Sequence, residues 1–536
     1  MKYIYDDLFG LSMKTFNDLH FFSILIDGAT DSSVTENELI YLRYVDRGEP
    51  VNHYFSIEDL AHADAQGILN SIEEAFNRNR LQNWKEKLIG FGSDGASVNL
   101  GIRGGVAALI KHDVPHLVIT HCVAHRLELA ANGAIKNHKI MKDVQDILQY
   151  LYKHYQYSPK ALRELKQLGE ALEEKVIKPT KLAGTRWLPH IFRALEVLCK
   201  NYKVLLTHFE HIRQARTGSS EVQGRATFIS KKLKSYKFLH NMYFIFDILK
   251  VLSVLSLKLQ RDDLTLSQMF DCLSAAHLSL IELKTVDGQE LSTFISTVDQ
   301  DTSSYNGISL SGVELDETFA NDKIAIIDLI TAALDVRFSP MENDPVLHAA
   351  ATIMNFSEWP RTLDGLAGFG NPEITLLLEH FHEILERSGC DLDNIMDHNG
   401  EWQNFKAYVF RHRTTVSVDN FFIFPELRTQ FQHMVMFMEM LLTFPLSSAV
   451  CERGFSAMKR IKSDWRSSLR PDMLRMLMHI VIEGPEMTDF KAQSVFDLWW
   501  SSGRRKRPGF NPNEQRILSS LPDHYETSSD EEEPME

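Results

Sequence analysis

The segment SILIDGATDSS, residues 23–33, decides the fold, because Ser23 to Asp27 form an apolar run that ends in a carboxylate. Such a run, lacking the alternation of a half-exposed strand, is what a central strand buried on both faces requires. Downstream, ELIYLRYV (38–45), the turn DRGEP (46–50) and VNHYFSI (51–57) predict a hairpin-linked pair of strands. A helix is expected over roughly 58–77. LIGFGSDG (88–95) then repeats the first pattern, an apolar run closed by Asp94. GVAALIKHD (105–113) reads as a short helix, LVIT (117–120) as a strand and AHRLELAANGAIK (124–136) as a helix. The order β-β-β-α-β-α-β-α specifies a mixed α/β unit.

Beyond it the texture changes. From about Lys139 to Glu290 the periodicity is helical, as in FRALEVLCKNYKVLLTHF (192–209) and FLHNMYFIFDILKVLSVLSLKL (238–259). Residues 285–321 are rich in Ser, Thr, Asp and Gly and are expected as a surface loop. Helices resume to about Leu385, the acidic stretch CDLDNIMDHNGEW (390–402) reads as irregular, and helical patterning continues from Phe405 to about Gly484. The tail carries Arg504-Arg505-Lys506-Arg507 and then SSDEEEPME (528–536), a composition that does not fold. The expected division is 1–138, the first part of an α/β core; 139–404, a helical insertion; 405–500, the rest of the core with a helical region; and 501–536, a disordered tail.

Composition bounds the function. The chain has 536 residues, 44 % hydrophobic and 24 % charged, an ordinary globular balance. With 57 basic against 72 acidic residues the formal net charge is −15, so any nucleic-acid surface must be local. Five scattered cysteines (122, 199, 272, 390 and 451) give no CxxC pair or disulfide framework, which points to a reducing compartment. The N-terminus MKYIYDDLFG lacks a signal-peptide pattern. The two greasiest stretches are interrupted by Asp247 and Lys250, and by Glu439, short of the roughly 20 apolar residues a membrane span needs. A soluble, intracellular protein with no membrane partner is expected.

Asp27 and Asp94 close the two central runs, and parallel strands deliver their carboxyl ends to one sheet edge, where open α/β folds bind ligands. Small neighbours follow each: Gly28 and Ala29, then Gly95, Ala96 and Ser97. Converging carboxylates repel unless a cation lies between them, and hard oxygen donors suit Mg²⁺ or Mn²⁺. Either Asp alone also serves as a turn former or helix N-cap. Gly90, Gly92 and Gly95 match the spacing of a dinucleotide fingerprint, but that reading sets Asp94 inside the turn meant for a pyrophosphate.

Four blocks, ILIDGATDSS (24–33), FGSDGASVNLG (91–101), THCVAHRLELA (120–130) and PLSSAVCERGFSAMKRIKSDWRSSLRPDMLRMLMHI (445–480), together with GTRWLPH (184–190), resemble the hAT superfamily of DNA transposases and their domesticated vertebrate relatives. The resemblance implies an RNase H-like core interrupted by a large all-α insertion domain, with a C-terminal helical dimerisation region. It implies Asp27, Asp94 and Glu452 as the metal-binding carboxylates of a two-metal site, His125 near the scissile phosphate with Cys122 packed beside it, Trp187 stacked on an extruded base, and Arg186 on phosphate or a neighbouring carboxylate. The residues around Glu452 fit a helix capped by Ser447 or Ser448, whose stripe Val450, Gly454, Phe455, Ala457, Met458 and Ile461 packs inward. Relatives carry an N-terminal zinc-finger module. Here the first strand begins about twenty residues from Met1 and no CxxC occurs, so targeting by such a module is not expected of this sequence. Ala29 also stands near where many relatives have Trp.

Further candidates are weaker patterns. His121, Cys122 and His125 raise the question of zinc, but only His112 and His116 are near enough to complete a ligand set, and no structural zinc is expected. RATFISKKLKSYKF (225–238) holds Lys231, Lys232 and Lys234 with no acid, and Arg453, Lys459, Arg460, Lys462, Arg466 and Arg470 face a single Asp464; each track is a DNA surface or a solvated helix face. Leu474, Leu477, Met478 and Val481 are the candidate dimer contacts, with Trp499 and Trp500 beyond. Residues 504–507 suit a nuclear localisation signal. The expectation is a nuclear, dimerising DNA-binding protein with a DDE-type site for Mg²⁺- or Mn²⁺-dependent phosphodiester cleavage and strand transfer. The alternatives are a catalytically silent dimer acting on chromatin and nuclear proteins, and an RNase H-type nuclease unrelated to mobile elements.

Overall fold

In the computed structural model, which describes residues 1–502 apart from 32–33, 137, 182–185, 217, 313–318, 419, 422–423 and 467, strand β1 (Phe22–Thr30) organises the sheet. It pairs antiparallel with β2 (Glu36–Asp46) and parallel with β4 (Leu88–Ser93). With β3 (Glu49–Asp59) and β5 (Val118–His121) at the edges, the order is β3-β2-β1-β4-β5. Ile24, Leu25 and Ile26 are fully buried, as a two-faced central strand demands.

One face of the sheet, with Ile24, Ile26, Ile40 and Phe55, packs on the helices Ala65–Arg78 and Val106–Asp113. The other, with Leu25, Leu39, Tyr41, Tyr54 and Ile57, packs on the helices Ala449–Ile461 and Pro471–Glu483. The fold is therefore α/β, with a mixed five-stranded sheet near the N-terminus and a large helical mass after it.

Several boundaries differ from the sequence reading. β3 runs on to Asp59, held in register by Asn37 and Glu38, and the next helix starts only at Ala65, where Asp64 accepts from the Gly67 N–H. A helix over Lys2–Asp18, absent from the expected order, sets Tyr5 and Phe9 edge-on to His479. The stretch expected as loop contains the helix Gln289–Thr297 and a short hairpin, because Leu291 and Phe294 find the core. That helix also explains the charges in the long apolar helix Tyr236–Lys258. Asp247 accepts from the backbone N–H groups of Glu290 and Leu291, capping the shorter helix, and Lys250 pairs with Glu290 at 2.8 Å. Tyr236–Lys258 is long and apolar enough to cross a membrane, yet most of it is buried within the helical mass. The acidic stretch 390–402 includes a helix, Leu392–Met396, capped by Asp391.

A crossing of the chain over the sheet positions the site. After the helix Gln432–Leu442, the segment 444–448 runs beside β4 and β5. Val123 donates to the Leu446 carbonyl at 3.0 Å, Thr120 Oγ1 donates to the Pro445 carbonyl, and the Ser448 N–H donates to Cys122 Sγ at 3.2 Å. Gly90 and Gly92 make room for it: Cβ atoms there would lie 2.6 and 2.7 Å from Pro445. The glycine pattern that resembles a phosphate cradle is a steric slot for backbone. Beyond it the Ala449–Ile461 helix lies against β2, so close at Gly454 that a Cβ would sit 2.6 Å from the Tyr41 hydroxyl. Val450, Gly454, Phe455, Ala457, Met458 and Ile461 are all buried, and each large apolar side chain among them contributes roughly 1.5–3 kcal/mol. Ser448 is the N-cap residue, but its side chain makes no capping hydrogen bond.

Candidate functional site

Asp27 stands opposite Leu39 in the β1–β2 pairing, so its side chain shares the face covered by the Ala449–Ile461 helix. Asp94 follows the end of β4. Its Oδ1 accepts from the Ala96 N–H at 3.2 Å and from Asn99 Nδ2 at 3.0 Å, so it shapes the turn as well as facing the site. Glu452 lies in the first turn of its helix, where the unpaired backbone N–H groups favour an acid.

The three carboxylates feel one another. Asp27 is pushed up to about 7, first by burial and then by the charges of Asp94 and Glu452. The Gly28 N–H and the Arg186 guanidinium oppose that rise. Arg186 Nε lies 2.6 Å from Glu452 Oε2, both side chains being largely buried, and Arg186 Nη2 donates to the Ala449 carbonyl at 3.4 Å. Among the described residues, no group of three or more His, Cys, Asp or Glu side chains is already arranged to hold a metal.

Two further buried carboxylates lie near these residues, and the sequence reading singled out neither. Glu38, opposite Gly28 on β2, is buried and held well above the usual carboxylate range by desolvation and by Asp27 and Asp94. Its Oε1 has no hydrogen-bond partner among the described residues. The signal was its place two residues into the hairpin strand, but only the register sets it beside Gly28. Glu128 accepts from the Leu188 N–H at 3.0 Å at the start of the helix Trp187–Lys200, and burial pushes it up to about 7. That contact ties Arg186 and Trp187 to the α/β core. Trp187 itself is half-buried against the helical core.

His125 lies beside a second histidine, His121. His121 packs on the turn after Asp94, where a Gly95 Cβ would lie 2.5 Å from its ring, and burial lowers it to about 4, leaving it neutral. His125 is one turn into the next helix, with its ring 6.3 Å from that of His121. Cys122 is buried and serves the 444–448 crossing. His112 is exposed beside Asp113 and His116 engages the Leu88 carbonyl, so they do not complete a ligand set with Cys122.

The basic tracks are partly neutralised by acids from distant helices. Lys232 pairs with Asp143 at 2.6 Å and Lys234 with Glu210 at 2.9 Å, whereas Lys231 is exposed. Arg453 pairs with Asp262, and Lys462 forms a buried pair with Asp31. Lys459 and Arg460 are exposed. Of the dimer candidates, Leu474 and Met478 are buried against the sheet of their own chain, because their i, i+4 spacing is the core stripe of the helix. Leu477 is partly buried with them, and Val481 remains on the surface. Residues 504–507 and the acidic tail lie outside the described residues.

An α/β sheet with one aspartate inside β1, which runs on past Asp27 to Thr30 where the sequence pattern set the strand's end at Asp27, a second just after β4, and a glutamate from a helix near the other end of the chain, is the class of protein these observations define. Residues 12–104 match the family model of the ZMYM1/FAM200 RNase-like domain, and residues 394–481 match the hAT family C-terminal dimerisation region. The first match contains Asp27, Glu38 and Asp94 and the second contains Glu452. Together the two matches support a hAT-type, transposase-derived protein. The second match supports self-association.

Proposed function

We propose that this protein is a nuclear, self-associating DNA-binding protein on an RNase H-like scaffold, whose Asp27, Asp94 and Glu452 would hold Mg²⁺ or Mn²⁺ for phosphodiester cleavage and strand transfer. The observation that carries the reading is the placement of Asp27 and Asp94 on the neighbouring parallel strands β1 and β4, with the Glu452 helix packed on the Asp27 face of the same sheet. The sheet order and the two family matches support the scaffold. The donor set is all hard oxygen, and the buried Glu38, whose Oε1 has no hydrogen-bond partner among the described residues, adds negative character near Asp27 and Asp94. Divalent ions bound there would stabilise the attacking and leaving oxygens of an in-line displacement.

The chain's own groups act around that centre. Asp27 keeps a proton near neutral pH while the charge is uncompensated. Glu128 fixes the helix start that presents Arg186 and Trp187, the first as a cation for phosphate and the second as a face for a base. Lys231, Lys459 and Arg460 are exposed cations for the DNA backbone. Nuclear residence and contacts with nuclear proteins are part of the same proposal. Its test is Mn²⁺- or Mg²⁺-dependent nicking of supercoiled DNA by the full chain. Loss of nicking in Asp94→Asn is the expected result, and nicking that survives the change overturns the assignment.

A second reading, a catalytically silent dimer that binds DNA or chromatin partners, is favoured by one observation. Arg186 neutralises Glu452 at 2.6 Å, as an internal counter-ion does in a site that has dispensed with metal. Titration with Mn²⁺ separates the two: a thermal shift abolished by Asp27→Asn supports the cation site, and no shift supports the silent form.

A further inference from the structure

Trp465 is 97 % exposed, on the short helical turn Asp464–Arg466 that follows the Ala449–Ile461 helix. A fully wetted Trp forgoes the largest apolar burial any side chain can gain. The backbone that presents it is anchored on both sides. Lys462 forms its buried ion pair with Asp31, which in turn accepts from Asn37 Nδ2, and Leu469 packs on the sheet-facing core. The Leu469 N–H also closes a turn on the Arg466 carbonyl at 3.2 Å. The segment that carries the ring is thus tethered at Lys462 before it and at Leu469 after it.

The surroundings are basic in a chain whose net charge is −15. Lys459, Arg460, Arg466 and Arg470 are all exposed, and among the described side chains only Arg470 of these four is ion-paired, loosely, with Asp472 at 3.6 Å. Arg453, Ser456, Lys459 and Arg460 form one exposed face of the Ala449–Ile461 helix, running from the Glu452 end towards Trp465. From Arg453 to Arg460, at 1.5 Å per residue, that face is roughly 10 Å long, the rise of about three stacked nucleotides.

We propose that Trp465, with Lys459, Arg460, Arg466 and Arg470, is a binding platform for single-stranded or end-frayed DNA, the ring stacking on an unpaired base while the cations follow the phosphates. This rests on the DNA-binding reading above and extends it to a second aromatic contact, separate from Trp187. A flat aromatic face amid exposed cations is the pairing that single-stranded nucleic acid takes: bases offer π-faces and the backbone supplies negative charge. Charge complementarity favours this occupant over a second copy of an acidic chain.

The test is fluorescence anisotropy of the full chain with a labelled single-stranded oligonucleotide, a duplex carrying a single-stranded overhang, and a blunt duplex. Trp465→Ala is expected to weaken the first two by about 5- to 150-fold, the range for losing one stacked base, and the blunt duplex far less. Trp465→Phe should recover most of the loss, and Arg460→Ala with Arg466→Ala should flatten the salt dependence. Equal affinity of wild type and Trp465→Ala for all three DNAs overturns the platform while leaving the DNA-binding reading intact. So does an altered sedimentation coefficient with unaltered DNA affinity, which would make the face a contact between copies. Absence of DNA binding by the wild-type chain overturns both.

Discussion

Arg186 pairs with the Glu452 carboxylate at 2.6 Å and donates to the Ala449 carbonyl, 263 residues along the chain, so one guanidinium holds both the side chain and the backbone at the start of the Glu452 helix. Its charge also acts on the buried carboxylates of Asp27 and Glu128. Removing it leaves buried negative charge uncompensated. Arg186→Gln is expected to lower stability by about 1–3 kcal/mol near pH 7.5, read as a shift in urea midpoint. If the carboxylates hold a divalent cation, millimolar Mg²⁺ should restore most of the loss. A midpoint equal to wild type without Mg²⁺ would show that the pair carries no weight.

The crossing at Pro445 is equally exposed to test. A Cβ on Gly92 would meet the Pro445 carbonyl oxygen at 2.7 Å and Leu25 Cδ2 at 2.8 Å, and the first of these is backbone that cannot rotate away. Gly92→Val should therefore cost at least about 2 kcal/mol and lift the 444–448 segment from the sheet. Faster proteolysis in that segment is the direct readout. Gly104→Ala, where added bulk meets nothing within 4 Å, is the control.

Acid should weaken the fold through buried neutral histidines. His154 and His240 are both buried, and burial lowers each to about 4. For a base whose folded pKa lies below its unfolded value of about 6.5, the unfolded chain binds more protons between those limits. Stability is then fully present above about pH 6.5 and falls as pH drops towards 4, by up to roughly 3 kcal/mol for each group. Replacing His240 with Phe should flatten the decline in urea midpoint between pH 7 and 5. An unchanged slope would assign the acid limb to other groups.

The surface and core positions of the Pro471–Glu483 helix should respond in opposite ways. Leu474→Ala empties a site against the sheet and should cost about 2–4 kcal/mol with no specific effect on assembly. Val481, 51 % exposed, should tolerate Glu without loss of stability, while Val481→Glu shifts the sedimentation profile if this end of the helix meets a second copy. Melting temperature and analytical ultracentrifugation on both variants separate the two effects.

The amino-acid pattern alone determined the strands around Asp27 and Asp94, because an apolar run without alternation fits little besides a central strand buried on both faces. It also determined that most of the later chain is helical, and which side of the Glu452 helix turns inward, since a 3.6-residue period is legible wherever one face is buried. The same patterns misplaced the residues that depend on pairing. Lys232, Lys234, Arg453 and Lys462 read as free cations until Asp143, Glu210, Asp262 and Asp31 arrived from other elements. Leu474 and Met478 read as an interface until the sheet covered them. Tertiary structure alone brought Glu38 to Gly28, Glu128 to the helix that presents Trp187, and Glu452 over a glycine slot to the aspartates. Local sequence fixes periodicity, and periodicity fixes which face is buried. It does not fix which distant charge shares that face, because a Coulomb contact depends on separation in space and is blind to separation along the chain.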